Sequence, residues 1–199
     1  MGLMLELEGG KPVPTKGQMM GFLEIMQGTS HIGVDTESDP DTDLFLGFSI
    51  ACGEVGMYFP VGHLEADANI DDEVYDYSMN VIDKHELRVF QHAGYDLSRY
   101  EHKLGIPLQG RFVCTMTMAH MINENLVSKS LDSLHKHYVK NGTGKEMPEL
   151  MKNIIKQMGW RYVPAQLMTV YGTQDAVAAS QLFLALKPLY TAQFGELFS

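Results

Sequence analysis

The chain has 199 residues, 45% of them apolar and 20% charged, a balance that suits one globular domain with a substantial core. Its net charge of −10 argues against a protein that coats duplex nucleic acid through Lys and Arg. Its two cysteines, Cys52 and Cys114, form no CxxC and so exclude a thiolate zinc site or a disulfide framework. The N-terminal MGLMLELEGG carries acid where a secretory signal needs base, and no stretch approaches the roughly 18 apolar residues of a membrane helix. A cytoplasmic protein with no membrane partner is expected.

Three strands come first: His31–Val34, Leu44–Ala51 and Glu54–Pro60, with Gly53 as a tight link between the second and third. The second (LFLGFSIAC) is almost continuously apolar, as in a strand covered on both faces. Asn69–Leu87 turns helical, with Val74, Tyr77, Val81 and Ile82 on one face and acids on the other. Arg88–His92 reads as a fourth strand, Tyr95–Leu104 as a helix stopped by Gly105 and Pro107, and Arg111–Cys114 as a short strand. Everything beyond is helical: Thr115–Asn123, Leu131–Tyr138, Pro148–Met158 and Ala165–Leu186, the last with a break expected near Gly172. HYVKNGTGKEMP, starting at His137, is the one flexible stretch. No repeat or low-complexity tract interrupts the chain. A single α/β domain over residues 1–199 is expected, helical in its C-terminal half.

Four acids have suggestive settings. HIGVDTESDP places Asp35 and Glu37 one residue apart at the end of a buried strand, where alternate side chains share a face. Two like charges side by side repel, so either a cation justifies them or the stretch is a polar turn. A DxE pair alone does not decide. Asp96 lies early in a helix just after a strand, a position that equally suits a cap. Asp175 is the only acid in a long apolar helix, and Tyr171, four residues earlier, shares its face. That pair also fits a tyrosine packed against a solvated acid, although an Asp buried there without a partner would cost stability. Four carboxylates converging from separate segments would form a hard oxygen site for Mg²⁺ or Mn²⁺. Two such ions about 3.5–4 Å apart stabilise the attacking and leaving oxygens of an in-line phosphoryl displacement. Charge is unevenly spread, with 14 acids and one base from Asp35 to Glu86 against 10 bases and 5 acids from Arg99 to Arg161. Solvated faces and binding surfaces both remain open on that pattern.

HIGVDTES followed by LFLGFSIACGEVGMYFPVGH resembles the first motif of the DEDD 3′–5′ exonucleases, specifically the proofreading domain of family A DNA polymerases. There the metal-ligand strand is followed by an apolar strand and a hairpin ending in Pro-x-Gly-His, here Pro60, Val61, Gly62 and His63. VFQHAGYDLSRYEHKLGIPL is similar to the second motif, with Asp96 as its acid. TMTMAHMINENL and SLDSLHKHYV resemble the helical stretch that follows, and WRYVPAQLMTVYGTQDAVAASQLF resembles the third motif in its YxxxD form. The likeness runs from about residue 25 to residue 190. It implies an RNase H-like (DnaQ-like) α/β fold, with a central mixed sheet flanked by helices, and hydrolytic removal of nucleotides from a 3′ end. It also implies two divalent ions, Mg²⁺ or Mn²⁺, with Asp35 bridging both. Glu37 and Asp175 would complete the site of the ion that holds the attacking water, and Asp96 would support the second. Tyr171 would orient the nucleophile, since a phenol with an ordinary pKa near 10 is a poor general base.

Where relatives carry Asn ahead of the second-motif helix, this chain has His92. With Gln91 and Tyr95 it is a candidate for contact with the 3′-terminal nucleotide; a packed or capping histidine is the alternative. Relatives often have Asp at the position of Cys114, which is not a metal ligand. Lys129 and Arg111 are candidate phosphate contacts. Phe45 and Leu44 are candidate wedges between the last bases, though both also suit the core. GTGKE from Gly142 lacks the glycine and the Ser or Thr of a Walker loop, and His135 and His137 diverge on a helix, so neither makes a site. An acidic chain that grips a short frayed end, aided by stacking, fits proofreading. The expectation is therefore a 3′–5′ exonuclease acting on single-stranded DNA ends, either free-standing beside a separate DNA polymerase, of viral origin or otherwise, or a domain excised from a longer protein. RNase D-like RNA trimming uses the same four acids but lacks the hairpin phrase. A module that only binds DNA or a polymerase would be expected to have lost a carboxylate.

Overall fold

The computed structural model describes residues 10–103, 105, 110–142 and 147–197. Residues 1–9 of the N-terminal stretch, the helix end expected at Leu104 with its Pro107 stop, and residues 143–146 of GTGKE lie outside them. A helix the sequence reading had not placed comes first, α1 (Lys16–Gln27). Its start is a capping box: Thr15 accepts from the Gln18 amide, and the Gln18 side chain accepts from the Thr15 amide. Met19, Phe22, Leu23 and Met26 form its buried stripe.

Five strands follow among the described residues: β1 (Ile32–Ser38), β2 (Phe45–Cys52), β3 (Val55–Pro60), β4 (Leu87–Phe90) and β5 (Arg111–Cys114). They form one sheet in the order β3-β2-β1-β4-β5. The first three make an antiparallel meander, and β4 and β5 add on parallel to β1. The sheet is mixed, as the resemblance implies. Parallel neighbours need crossovers; α2 (Asp72–Lys84) supplies one and α3 (Ala93–Lys103) the other. The helix expected from Asn69 begins only at Asp72, after a short 3-10 turn at Ala66–Ala68, because Asp71 caps it by accepting from the Val74 amide at 2.9 Å.

The first strand does not stop at Val34. It continues through Asp35, Thr36 and Glu37 to Ser38, in register with Ser49, Phe48 and Gly47 of β2. The two acids therefore sit inside a paired strand, and the polar-turn alternative falls. On the opposite edge β4 pairs only with Ile32 and Gly33, which leaves the far half of β1 open.

The remaining helices are α4 (Thr115–Ile122), α5 (Leu131–Tyr138), α6 (Glu149–Met158) and α7 (Ala165–Phe194), with a 3-10 turn at Trp160–Tyr162 before the last. The break expected near Gly172 does not occur, and α7 runs on past Leu186. Gly172 is a packing glycine: a methyl there would meet the Tyr58 ring at 2.9 Å and Ser49 Oγ at 3.1 Å. Its absence lets α7 lie close on β2 and β3. Leu182, Phe183 and Leu186 then bury against α4 and α5, each worth about 1.5–3 kcal/mol of transfer free energy. The other face of the sheet is covered by α1 and α2 through Leu23, Met26, Ile32, Val34, Phe48 and Ile82. Among the described residues no helix is long and apolar enough to cross a membrane.

Candidate active site

Gly33, Asp35 and Glu37 alternate along β1 and so share one face. That face meets α7. A Cβ on Gly33 would lie 2.5 Å from the Ala176 carbonyl oxygen and 3.0 Å from Ser180 Cβ, so glycine alone permits the approach. The contact is fastened by Ser180, whose Oγ lies 2.8 Å from His31 Nε2 and accepts from the Gly53 amide at 2.8 Å. Asp175, beside Ala176, is thereby carried to β1. One oxygen from each of Asp35, Glu37 and Asp175 lies within 4.8 Å of the other two.

Asp96 arrives from the open edge. Because β4 ends at Phe90, nothing from that strand reaches Thr36. Asp96, in the first turn of α3, fills the place: its Oδ1 accepts from the Thr36 amide at 3.1 Å and from Thr36 Oγ1 at 2.6 Å. It is 2% exposed. Burial pushes its carboxyl up to about 7 despite the two Thr36 bonds, which favour the carboxylate, and the Asp175 charge adds to the rise. Tyr171, one turn before Asp175, is partly buried. Burial first, and then the charges of Asp175, Glu37 and Asp35, hold its phenol well above the ordinary value, so it is an O–H donor and not a base.

These groups form the floor of an open cleft of about 540 Å³. One wall runs from Gln91 and His92 to Tyr95 at the start of α3; the other carries Leu131, Met147 and Trp160, with Asp132 among them. Trp160 and Tyr171 have ring centroids 6.0 Å apart. Tyr95 is steadied by Arg99, whose guanidinium carbon lies 4.6 Å from its ring centroid while the same side chain ion-pairs with Asp43 on the β1–β2 loop.

The structure separates the other expected contacts. His92 and Tyr95 are exposed in the cleft with their rings 6.4 Å apart. Gln91 lines it too, but its amide is engaged inward: Oε1 accepts from Thr115 Oγ1 at 2.5 Å and Nε2 donates to the Lys129 carbonyl at 3.0 Å. Lys129 does not line the cleft, and its described role there is that carbonyl. Arg111 opens β5 beside Leu87, outside the cleft, with Glu86 at 3.9 Å. Phe45 is buried against Phe48, and Leu44 stands outside the lining. His135 is buried against Gln181 while His137 is exposed edge-on to Tyr138. Sequence reasoning missed Leu131, Met147 and Trp160. For Trp160 a signal existed, as the only tryptophan and one set just ahead of the Tyr171–Asp175 helix; the other two carried none.

The donor set is made of carboxylate oxygens, and no Lys or Arg is among the described residues lining the cleft. Three carboxylates this close, with Glu37 buried, fit a hard divalent cation.

The profile of the 3′–5′ exonuclease family matches residues 11–190. No curated protein sequence matches the chain. Among solved structures, Trypanosoma brucei RNase D is 15% identical with a TM-score of 0.67 over 94% of this chain and 64% of its own. Escherichia coli RNase D, an exoribonuclease involved in structured RNA processing, is 14% identical with a TM-score of 0.64 over 92% of this chain and 45% of its own. The Aedes aegypti Nibbler EXO domain is 13% identical with a TM-score of 0.63 over 98% and 94%. At such identities the likeness is one of fold, and the chain spans less than two thirds of either RNase D chain.

Proposed function

This chain belongs to the 3′–5′ exonuclease family, and from that premise we propose that it removes nucleotides from the 3′ end of single-stranded or frayed DNA. The observation that carries the reading is the convergence of Asp35, Glu37 and Asp175 within 4.8 Å on the floor of a cleft that also takes in Asp96 and Tyr171. Asp35, Glu37 and Asp175, with Asp96 beside them, would hold two divalent ions, Mg²⁺ or Mn²⁺. When bound they supply Lewis-acid stabilisation of phosphoryl oxygens and a lowered pKa for the attacking water. Tyr171, kept protonated by its surroundings, donates its O–H to the incoming water and orients it. Tyr95, His92 and Trp160 present aromatic faces to the terminal bases, the sequence-tolerant contact by which single strands are held. No Lys or Arg is among the described lining residues, so the ions, when bound, would supply the grip on phosphate and the affinity would be local to the 3′ end. A proofreading role would pair this activity with a DNA polymerase.

A second reading is RNA trimming. It is favoured by the RNase D enzymes, which share the fold. Degradation of a 5′-labelled single strand with Mg²⁺ or Mn²⁺ separates the two. A ladder shortening from the 3′ end, lost in Asp35→Ala, is the expected result, and a mismatched DNA end cut faster than RNA favours proofreading. Faster cutting of RNA makes the protein a trimmer, and no cutting of either strand refutes the enzyme.

A further inference from the structure

His63, the last residue of the Pro-Val-Gly-His phrase, is buried and belongs to neither the floor nor the walls of the cleft. Its ring is fully engaged. Nδ1 lies 3.1 Å from the Val163 carbonyl oxygen, and Nε2 lies 2.8 Å from the Tyr58 hydroxyl. A carbonyl can only accept, so Nδ1 carries the proton and Nε2 accepts from the Tyr58 O–H. Burial pushes the imidazole down and keeps it in that neutral state.

The two groups it joins belong to the two halves of the site. Tyr58, on β3, is completely buried. Its hydroxyl abuts Gly47, the β2 residue in register with Glu37, and its ring abuts Gly172, the neighbour of Tyr171. Side chains at either glycine would collide with it. Val163 closes the 3-10 turn that carries Trp160, by donating its amide to the Trp160 carbonyl, and stands just before α7. Neighbouring bonds fix the same junction: the His63 amide donates to Asn69 Oδ1, and Glu65 accepts from the Ala165 amide at the start of α7.

We infer that His63 and Tyr58 are positioning residues: the Val163–His63–Tyr58 chain sets the distance between the sheet that bears Asp35 and Glu37 and the helix that bears Tyr171 and Asp175. The inference deepens the exonuclease reading and rests on it for its kinetic consequence, but not for its metal-binding one. Outer groups that orient ligands change metal affinity or activity by about 10–100-fold when removed. Tyr58→Phe deletes one oxygen and keeps the ring, so it tests the chain without emptying the core.

The test compares Tyr58→Phe, His63→Leu and His63→Gln with the wild type by Mn²⁺ titration, followed by electron paramagnetic resonance, and by kcat and KM on a single-stranded oligonucleotide. In Tyr58→Phe and His63→Leu the Mn²⁺ dissociation constant is expected to rise, and kcat to fall, by about 10-fold, with KM held within about 2-fold. His63→Gln, whose Oε1 can accept from Tyr58, is expected to recover most of both. If His63→Leu does not fold, the Tyr58→Phe and His63→Gln comparison decides. Wild-type Mn²⁺ affinity and kcat in Tyr58→Phe, or His63→Gln losing both as heavily as His63→Leu, would overturn the inference. A wild type that cleaves nothing refutes the exonuclease reading instead, and the Mn²⁺ titration then judges the positioning chain alone.

Discussion

Gly33→Ala puts a methyl group into the contact between β1 and α7 on which the acidic cluster depends. The new Cβ would lie 2.5 Å from the Ala176 oxygen, 3.0 Å from Ser180 Cβ and 3.2 Å from the Ser180 amide nitrogen. Restoring an ordinary contact of about 3.5 Å requires roughly 1 Å of separation between strand and helix. Two of the three obstacles are backbone atoms of α7, so no rotamer change relieves them. Overpacking of this kind costs about 1–3 kcal/mol, which for a chain of this size lowers Tm by roughly 2–12 °C. The same 1 Å carries Asp175 away from Asp35 and Glu37, and a misplacement of that order costs about 10²-fold in rate. Differential scanning calorimetry and single-turnover cleavage of a labelled oligonucleotide measure the two effects. Gly21→Ala is the control, since nothing lies within 4 Å of a Cβ there and its helix should gain about 0.5–1 kcal/mol without any change in rate. A Gly33→Ala protein with wild-type Tm and rate would refute the claim that this glycine sets the spacing of the site.

Asp96 gives a pH signature. Its folded-state pKa is raised to about 7, above the unfolded carboxyl value, so the metal-free protein loses stability as pH rises from about 4 to 7, by at most about 1.4 kcal/mol per unit. Asp96→Asn keeps an acceptor for Thr36, and this part of the slope should vanish from its urea-unfolding series between pH 4 and 8. A divalent cation at 100 times its dissociation constant should stabilise the wild type by about 2.7 kcal/mol, and thermal shift with and without EDTA should show this gain disappear in Asp35→Asn. Trp160→Ala should raise KM for a single strand by about 5–150-fold, the loss of one stacked base at about 1–3 kcal/mol, while kcat changes far less; an unchanged KM would remove Trp160 from the binding wall.

The two periodicities of the chain were legible in its sequence. Alternation put Asp35 and Glu37 on one face, and the four-residue spacing put Tyr171 and Asp175 on another. The strand positions and the helical C-terminal half followed from apolar patterning, and the mixed sheet from the family resemblance; the order of the strands in the sheet did not. The missed α1 had a readable start in Thr15-Lys16-Gly17-Gln18, a capping box that lies ahead of the strands and outside the stretch carrying the motifs. The sequence predicts a break at Gly172 because a glycine in a helix lowers local propensity. Its actual reason, the Tyr58 ring against it, lies 114 residues away in sequence and leaves no local trace.

What the sequence determined by itself was therefore the pairing of Asp35 with Glu37 and of Tyr171 with Asp175 on shared faces, because backbone geometry repeats every two or four residues wherever the chain runs. What only the tertiary structure decided was their meeting. Asp175 reaches Asp35 because Gly33 lets a helix 143 residues further on touch the strand. Asp96 turns to Thr36 because β4 stops short. The amide of Gln91 is held by Thr115 and Lys129, and so turns away from substrate. Each depends on which atoms from distant segments share a few ångströms of space, a quantity set by packing and absent from local pattern.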